Sequence, residues 1–402
     1  MHILLIHQAF TDLDEAGGTR HAELAHYLAE QGHQVTIIAS TVSYLSGKLA
    51  DRQRHVSKTQ PVLNLTIHRC YTYQALHRSF IHRTLSFLSF MVSSFISSLR
   101  VRHVDVVWGT TPPIFQAATA WLVARLKRAR FLLEVRDLWP AFAVAVGVLK
   151  NKMLIRMSEW LERFLYQHAD HVMINSPGFS DHVKSRGARQ VTLIPNSVDV
   201  AMFASASNPA LFREQHDLKD AFIVIYAGAH GLSNDLGVLL EAAEILRSEK
   251  KIRFVMIGDG KEKSELIKRA AQMNLSNVNF LPPLAKQDMP GVLGAADAGL
   301  AILKPLELYK TTYPNKVFDY MAASLPVILV IDGVIRQVVE AARGGVFVQP
   351  GNPVALAASI RELARHPDIA RRMGQAGCRY IRTNFNRQNT ATKFGELLER
   401  LG

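Results

Sequence analysis

The chain has 402 residues, 48% hydrophobic and 20% charged, a balance that excludes a disordered or low-complexity polypeptide and a length that favours two domains of about 200 residues each. Its two cysteines, Cys70 and Cys378, exclude a disulfide framework and fit a reducing compartment. The net charge of +13 is concentrated, since residues 48–130 carry thirteen Lys or Arg against Asp51 and Asp105.

In chain order, the apolar run 3–7 is too short for a secretory h-region and predicts a first strand. Gly17 and Gly18 then precede a helix predicted over 22–31, where backbone amides can meet phosphate oxygens and Arg20 can add a cation; a tight strand-to-helix turn is the plainer alternative. Asp12 and Asp14 have the spacing of a metal-binding carboxylate pair, but the glycines just beyond them fit a metal-free loop better. A second strand is predicted over 35–40.

Inside the basic stretch, the uncharged run 84–99 is framed by Arg83, Arg100 and Arg102, and its apolar residues recur at helical spacing with serines on much of the other side. Such a helix is about 24 Å long, short of a hydrocarbon layer of about 30 Å. Two readings stay open. In one, Phe87, Leu88 and Phe95 enter an anionic membrane surface while the arginines meet headgroups; in the other, the helix is a core element packed on a parallel sheet. No nucleic-acid module accompanies the charge, so nucleic acid is not expected as a partner.

Strands are predicted over 104–109, 131–136, 171–175 and 191–195. Arg136 and Asp137 leave the carboxyl end of strand 131–136, the edge over which α/β sheets bind ligands, and can meet a phosphate and a sugar hydroxyl; the alternative is a pair that fastens its own loop. His168 and His171 lie where a helix runs into a strand without a further clustered ligand, a structural pattern.

The βα rhythm restarts with strands over 222–228, 253–258, 278–281, 299–303, 327–331 and 346–348. The whole predicts an α/β chain of two doubly wound, Rossmann-like domains facing each other across a cleft. Residues 1–200 form the first, including the basic region 48–130, 201–386 form the second, and a last helical stretch, 387–402, crosses back. In the second domain Gly228, His230 and Asn234 occupy a strand-to-helix turn able to cradle an anion, and Gly258 and Gly260 repeat it one unit later, or serve only as turn residues. Tyr313, Asn315, Lys316 and Asp319 then lead a loop into a helix. A carboxylate suits a ribose diol, and a helix start beside a lysine suits a diphosphate.

Gly17 with Gly18, Gly32 with His33, Pro195 with Asn196 and Asp199, Gly258 with Gly260, and Phe318 with Asp319 together resemble, over essentially the whole chain, the family 4 glycosyltransferases of the GT-B fold. Arg136, Asp137, Trp139 and Pro140 with Pro314, Asn315 and Lys316 further resemble the WbuB-like subgroup, taken to transfer N-acetyl-L-fucosamine or related sugars from UDP in bacterial surface-polysaccharide assembly. The resemblance implies a retaining transfer from a UDP-sugar donor with no metal and no cofactor, with Asp319 on the ribose and Asp137, Arg136 and Lys316 at the reacting end. With the basic apolar region, it implies a lipid-linked saccharide acceptor and a peripheral place on the inner, cytoplasmic face of the membrane. Thr311 stands where the family carries a Glu, and Asn234 where it carries a Lys, so Lys316, Lys310 and Arg20 are the available phosphate cations. A UDP-sugar 2-epimerase and a non-catalytic nucleotide-sugar-binding subunit are the other expectations.

Overall fold

The structure, a computed structural model, describes residues 1–43, 57–60, 64–74, 80–204 and 209–402. The chain divides into two units. Met1–Asp12, Gly18–Pro195 and Gln388–Gly402 make one, and Leu13–Gly17 and Asn196–Arg387 the other.

The first unit holds β1 (His2–His7), β2 (Gln34–Ser40), β3 (Ser57–Gln60), β4 (Leu65–Cys70), β5 (Val106–Thr111), β6 (Arg130–Val135), β7 (His171–Ile174) and β8 (Val191–Leu193), in the spatial order β3-β4-β2-β1-β5-β6-β7-β8. All neighbours are parallel except β3 on β4. β1 and β5 are buried along their full lengths, because a parallel strand covered on both faces cannot alternate polar with apolar. The connections from β4 to β5, β5 to β6 and β6 to β7 run the same way across the sheet. Right-handed crossovers therefore place helices Phe80–Arg100, Ile114–Lys127 and Lys152–His168 on one face, and Arg20–Glu30, which leads from β1 the other way, on the opposite one. Trp108 of β5 accordingly meets His21 and Phe394, with ring centroids 5.2 and 4.7 Å away, while the adjacent Gly109 faces Ala120, whose Cβ lies 2.5 Å from where a Gly109 Cβ would stand.

The second unit holds β9 (Phe222–Ala227), β10 (Ile252–Ile257), β11 (Val278–Leu281), β12 (Ala298–Ile302), β13 (Val327–Val330) and β14 (Gly345–Phe347), all parallel in the order β11-β10-β9-β12-β13-β14. Its topology reverses between β9 and β12, and the crevice beyond the carboxyl ends of those strands is where such sheets bind ligands. Apolar clusters fill both faces of the sheet. Where the chain enters and leaves this unit, the two segments are tied: the Val198 amide donates to the Phe385 carbonyl (3.1 Å), the Arg387 amide to that of Val198 (2.9 Å), and Arg387 Nη1 to Ser197 Oγ (2.9 Å).

The strands expected from the sequence are present with ends shifted by about two residues or fewer. β3 and β4 were not expected, since they lie in the basic stretch; of its charges, Lys48, Asp51, Arg52, Arg54 and Arg78 fall outside the described residues. The helix expected over 84–99 extends from Phe80 to Arg100, and it is turned the opposite way from a core helix with a polar exterior. Ser86, Phe90, Ser94 and Ser98 are buried beneath it, whereas Ile81, Leu85, Leu88, Val92, Ile96 and Leu99 form an exposed stripe. Small serines let the helix approach the sheet closely, and spacings of three and four residues align the large apolar groups outward. Phe87 is half-buried with its ring 6.1 Å from that of Phe115, and Phe95 is half-buried too, so Leu88 alone of the three expected membrane-facing residues lies on the stripe.

One buried charge organises the first unit. Glu134 of β6 is fully buried and accepts from Arg20 Nε (2.9 Å), His21 Nε2 (2.7 Å) and Trp108 Nε1 (3.1 Å). Arg20 Nη1 and Nη2 donate to the Pro195 and Ile194 carbonyls at 2.7 and 2.6 Å. Burial works to raise Glu134, but His21 and Arg20 hold it far below the usual carboxylate range. Burial lowers His21 despite Glu134, so the ring donates as a neutral imidazole and Arg20 is the compensating charge. Glu134→Gln strips that compensation from a buried guanidinium. We expect a loss of about 3–5 kcal/mol, read as a lower thermal unfolding midpoint at neutral pH. Because the carboxyl is depressed, the wild type surrenders this contribution only in strong acid; an unchanged midpoint for the variant contradicts the assignment.

Candidate functional site

In the second unit the turn after β9 rests on the turn after β10. Gly258 and Gly260 have φ of +143° and +154°, and a Cβ on them would lie 1.9 Å from the Gly228 carbonyl oxygen and 2.5 Å from that of His230. Backbone bonds of 2.9 Å join Gly228 to Ile257, His230 to Asp259 and Glu262 to His230. The second glycine turn is therefore the support on which Gly228 and His230 are placed.

Lys316 reaches this cradle from the first turn of the helix Asn315–Ala322, whose entry is set by Pro314. Its Nζ lies 3.8 Å from the Tyr226 ring centroid and 2.9 Å from the point a Gly228 Cβ would occupy. That ammonium is sealed from solvent without a hydrogen-bond partner among the described residues, although the residue as a whole is half-buried, and burial lowers it to about 7. His230 is fully buried, with neither ring nitrogen hydrogen-bonded among the described residues; burial, then Lys263 and Lys316, lower it to about 4 against the pull of Asp259, so it is neutral near pH 7. Ala227 N donates to Tyr320 Oη (2.8 Å) and Tyr226 Oη to the Ala229 carbonyl (2.7 Å), fixing the strand end beneath.

One helical turn beyond Lys316, Asp319 receives Lys286 Nζ on Oδ1 at 2.6 Å. Lys286 opens the short helical turn Lys286–Asp288 and also lies 5.5 Å from the Phe203 ring centroid. No motif pointed to it, since its partner is 33 residues away. Of the other expected residues, Asn315 is exposed at the helix start, Asn234 closes a turn onto the Gly231 carbonyl (3.0 Å), and Tyr313 packs edge-on to Phe318 and Phe385 while its carbonyl accepts from Asn196 Nδ2 (2.6 Å). Lys310 is exposed and paired with Glu307 at 2.7 Å, and Thr311 Oγ1 donates to the Leu308 carbonyl at 2.6 Å. The cradle thus offers an anion two backbone turns and a desolvated cation, with a carboxylate one helical turn away.

Gly17, at the end of the short second-unit segment Leu13–Gly17, and Gly18, where the first unit resumes, are exposed, with open space where a Gly18 side chain would stand. Arg20 is committed to Glu134 and two carbonyls and is not available as the phosphate cation once expected of it. Arg136 leaves β6 with Nε on Thr110 Oγ1 (2.7 Å) and Nη2 on the Pro112 carbonyl, which holds the following turn. Asp137 is exposed as a whole residue, while loss of hydration around its carboxyl raises it to about 6 against the pull of Arg136. His7, at the carboxyl end of β1, is buried, its Nδ1 without a hydrogen-bond partner among the described residues and its ring 4.2 Å from that of His21; burial, His21 and Arg136 hold it well below its usual range. Asp14 is exposed and Asp12 lies 3.9 Å from His26; His171 binds Gln190 and Thr192, and His168 the Phe164 carbonyl. Among the described residues no group of three or more His, Cys, Asp or Glu is placed to hold a metal ion.

The chain is similar to known proteins over most of its length. The family pattern described as "Glycosyl transferase 4-like domain" matches residues 16–197, and that described as "Glycosyl transferases group 1" matches residues 221–366. WcaI of Escherichia coli strain K12, named for colanic acid biosynthesis, is 28% identical over 389 residues, covering 92% of this chain and 93% of its own. WbjE of Pseudomonas aeruginosa, named as a glycosyltransferase, is 25% identical over 316 residues, covering 76% and 78%. Among solved structures, sucrose-phosphate synthase of Thermosynechococcus elongatus superposes with a TM-score of 0.80 at 18% identity, covering 100% of this chain and 98% of its own. Anabaena HepE in complex with UDP-glucose gives 0.73 at 14%, covering both chains fully.

The support role of the second glycine turn is testable. Gly258→Ala drives a Cβ into backbone and should cost about 3 kcal/mol, whereas Gly18→Ala meets open space and should stay within about 0.5 kcal/mol. Thermal unfolding of the two variants checks this; equal midpoints contradict it.

Proposed function

The chain belongs to the family 4 glycosyltransferases of the GT-B fold, and from that premise we propose that it moves a sugar from a UDP donor to a polyprenyl-diphosphate-linked saccharide in bacterial surface-polysaccharide synthesis. The sugar is N-acetyl-L-fucosamine or a related amino sugar, as in the WbuB-like subgroup. Transfer retains anomeric configuration and uses no metal or cofactor. The enzyme works as a peripheral protein on the inner face of the cytoplasmic membrane; no helix among the described residues is long and apolar enough to cross one.

The observation that carries the donor reading is the desolvated Lys316 ammonium against the Gly228 turn, one helical turn from Asp319. A pyrophosphate seated beside the Gly228 turn gives that cation its missing partner. The family's lysine at the Asn234 position is then replaced from a different element, and Lys310, tied to Glu307 on the surface, is not needed. Asp319, with Oδ1 already steadied by Lys286, takes the ribose hydroxyls. As the glycosidic bond to UDP breaks, negative charge grows on the leaving diphosphate, and a fixed cation in a dry site stabilises it without reorganisation. The departing phosphate takes the acceptor hydroxyl proton on the same face of the sugar. WcaI, named for colanic acid biosynthesis, and HepE, solved with UDP-glucose, support the pathway class and the nucleotide.

Incubation of the purified protein with UDP-sugars and a lipid-linked GlcNAc acceptor should yield a glycosylated lipid with the donor's anomeric configuration by NMR. No transfer across a broad donor panel defeats the proposal, and tight UDP binding without transfer or hydrolysis assigns a non-catalytic binding subunit instead. Asp319→Ala should weaken UDP by about 1.5–3 kcal/mol in calorimetry, and unchanged affinity in a folded variant removes the ribose assignment. Lys316 gains its charge as pH falls through about 7, so UDP affinity should be greatest at and below that pH and fall above it by up to about tenfold per unit. Lys316→Met should flatten this dependence; a pH slope that survives the substitution contradicts the phosphate assignment.

A further inference from the structure

Helix Phe80–Arg100 is not alone in presenting apolar side chains to solvent. It packs against helix Ile114–Lys127, through Phe87 on Phe115, and that helix packs against Lys152–His168, through Trp121 on Phe164 with centroids 4.8 Å apart. The three form one layer on one face of the first sheet, so their outer sides make a single surface. On the middle helix Leu122 and Leu126 are exposed. On the third, Met153, Met157 and Trp160 are 69%, 54% and 64% exposed and fall on one stripe at i, i+4 and i+7. Trp160 is held outward, stacked at 5.6 Å on Phe164.

Charge on this layer is one-sided. The first two helices contain no Asp or Glu, and on the third Glu162 is buried against His182 and Arg186, leaving a half-buried Glu159. Lys152, Arg156 and Arg163 are exposed and, at 100° per residue, flank the Met153–Met157–Trp160 stripe along one border. An apolar stripe edged by cations, with an aromatic ring between, is the pattern of a surface that enters an anionic lipid interface.

We infer that the outer face of helices 80–100, 114–127 and 152–168 seats on an anionic bilayer, with the first turns of helix 152–168 inserting between headgroups. This rests on the membrane-peripheral part of the function proposed above and relocates its anchor: the expected Phe87 and Phe95 are packed inward, and the seat extends to a helix that the sequence reading left out. A lipid-linked acceptor would then meet the first unit at the bilayer plane.

The test uses the full chain and phosphatidylglycerol vesicles, with phosphatidylcholine vesicles for comparison, read by co-sedimentation and by tryptophan emission; Trp160→Phe identifies the reporting ring. Wild type should bind the anionic vesicles preferentially, with a blue shift lost in Trp160→Phe, and Met153→Ser/Met157→Ser should weaken binding at least about tenfold at an unchanged unfolding midpoint. Should that variant unfold, Arg156→Glu/Arg163→Glu, confined to exposed charges, should show the same loss. Equal binding to both vesicle types, wild-type binding by both double variants, or a concentration-dependent self-association that shields Trp160 without lipid each overturns the inference. Transfer to a short, water-soluble acceptor analogue reads the enzymatic proposal separately, because it needs no bilayer.

Discussion

The second unit depends on a contact that only glycine permits. Two strand-to-helix turns from successive βα units lie backbone on backbone at Gly258 and Gly228, closer than any side chain allows, and three main-chain hydrogen bonds lock them. A turn supported this way does not have to be ordered when an anion arrives, so the surface beside it is preformed at little entropic cost. The same rigidity explains why Lys316, from a different part of the chain, finds a fixed partner surface in the Tyr226 ring and the Gly228 backbone.

Holding an ammonium out of water without a hydrogen bond is destabilising, and folded proteins tolerate such groups mainly where they act. Its neighbour His230 lies equally dry but neutral, and so adds no repulsion; the ring of Tyr226 supplies the modest attraction of a cation over a π face. On the proposed reading, the donor's phosphate supplies the interaction that the folded chain leaves unmade. In the first unit the opposite solution applies: Glu134 is buried with every interaction satisfied, and Arg20 is consumed in satisfying it.

Alternating βα periodicity made the two sheets legible, because parallel strands covered on both faces read as short, continuous apolar runs. β4 escaped since its sequence, Leu65 to Cys70, alternates and carries Arg69 and His68 amid a basic stretch. Glycine spacing pointed to the paired turns after β9 and β10, and the place of Lys316 and Asp319 in the first turns of a helix was readable from the loop that leads into it. Lys286 and Glu134 were not, for their partners are distant in sequence and pairing at such range leaves no local pattern. Arg20 was misjudged for a related reason: an arginine after a glycine turn looks the same whether it faces a phosphate or a buried carboxylate. The helix over 80–100 shows a further limit: periodicity grouped Leu85, Leu88, Val92, Ile96 and Leu99 on one face, but it neither picked out Ser94 and Ser98 as the buried side nor said that the apolar face points outward.

The path of the backbone carries a final implication. Phe394 caps Trp108, and Tyr27 Oη meets Thr392 Oγ1 at 2.9 Å, so the last helix is an integral wall of the first unit although almost two hundred residues intervene. Severing the polypeptide after Pro195 would not liberate an intact amino-terminal half; it would strip the indole of its lid. The later module is in effect an insert spliced into the earlier one, its entry and exit strands stitched together at Val198 and Asn386, and excision of that insert with the ends rejoined is the route to an autonomous first half.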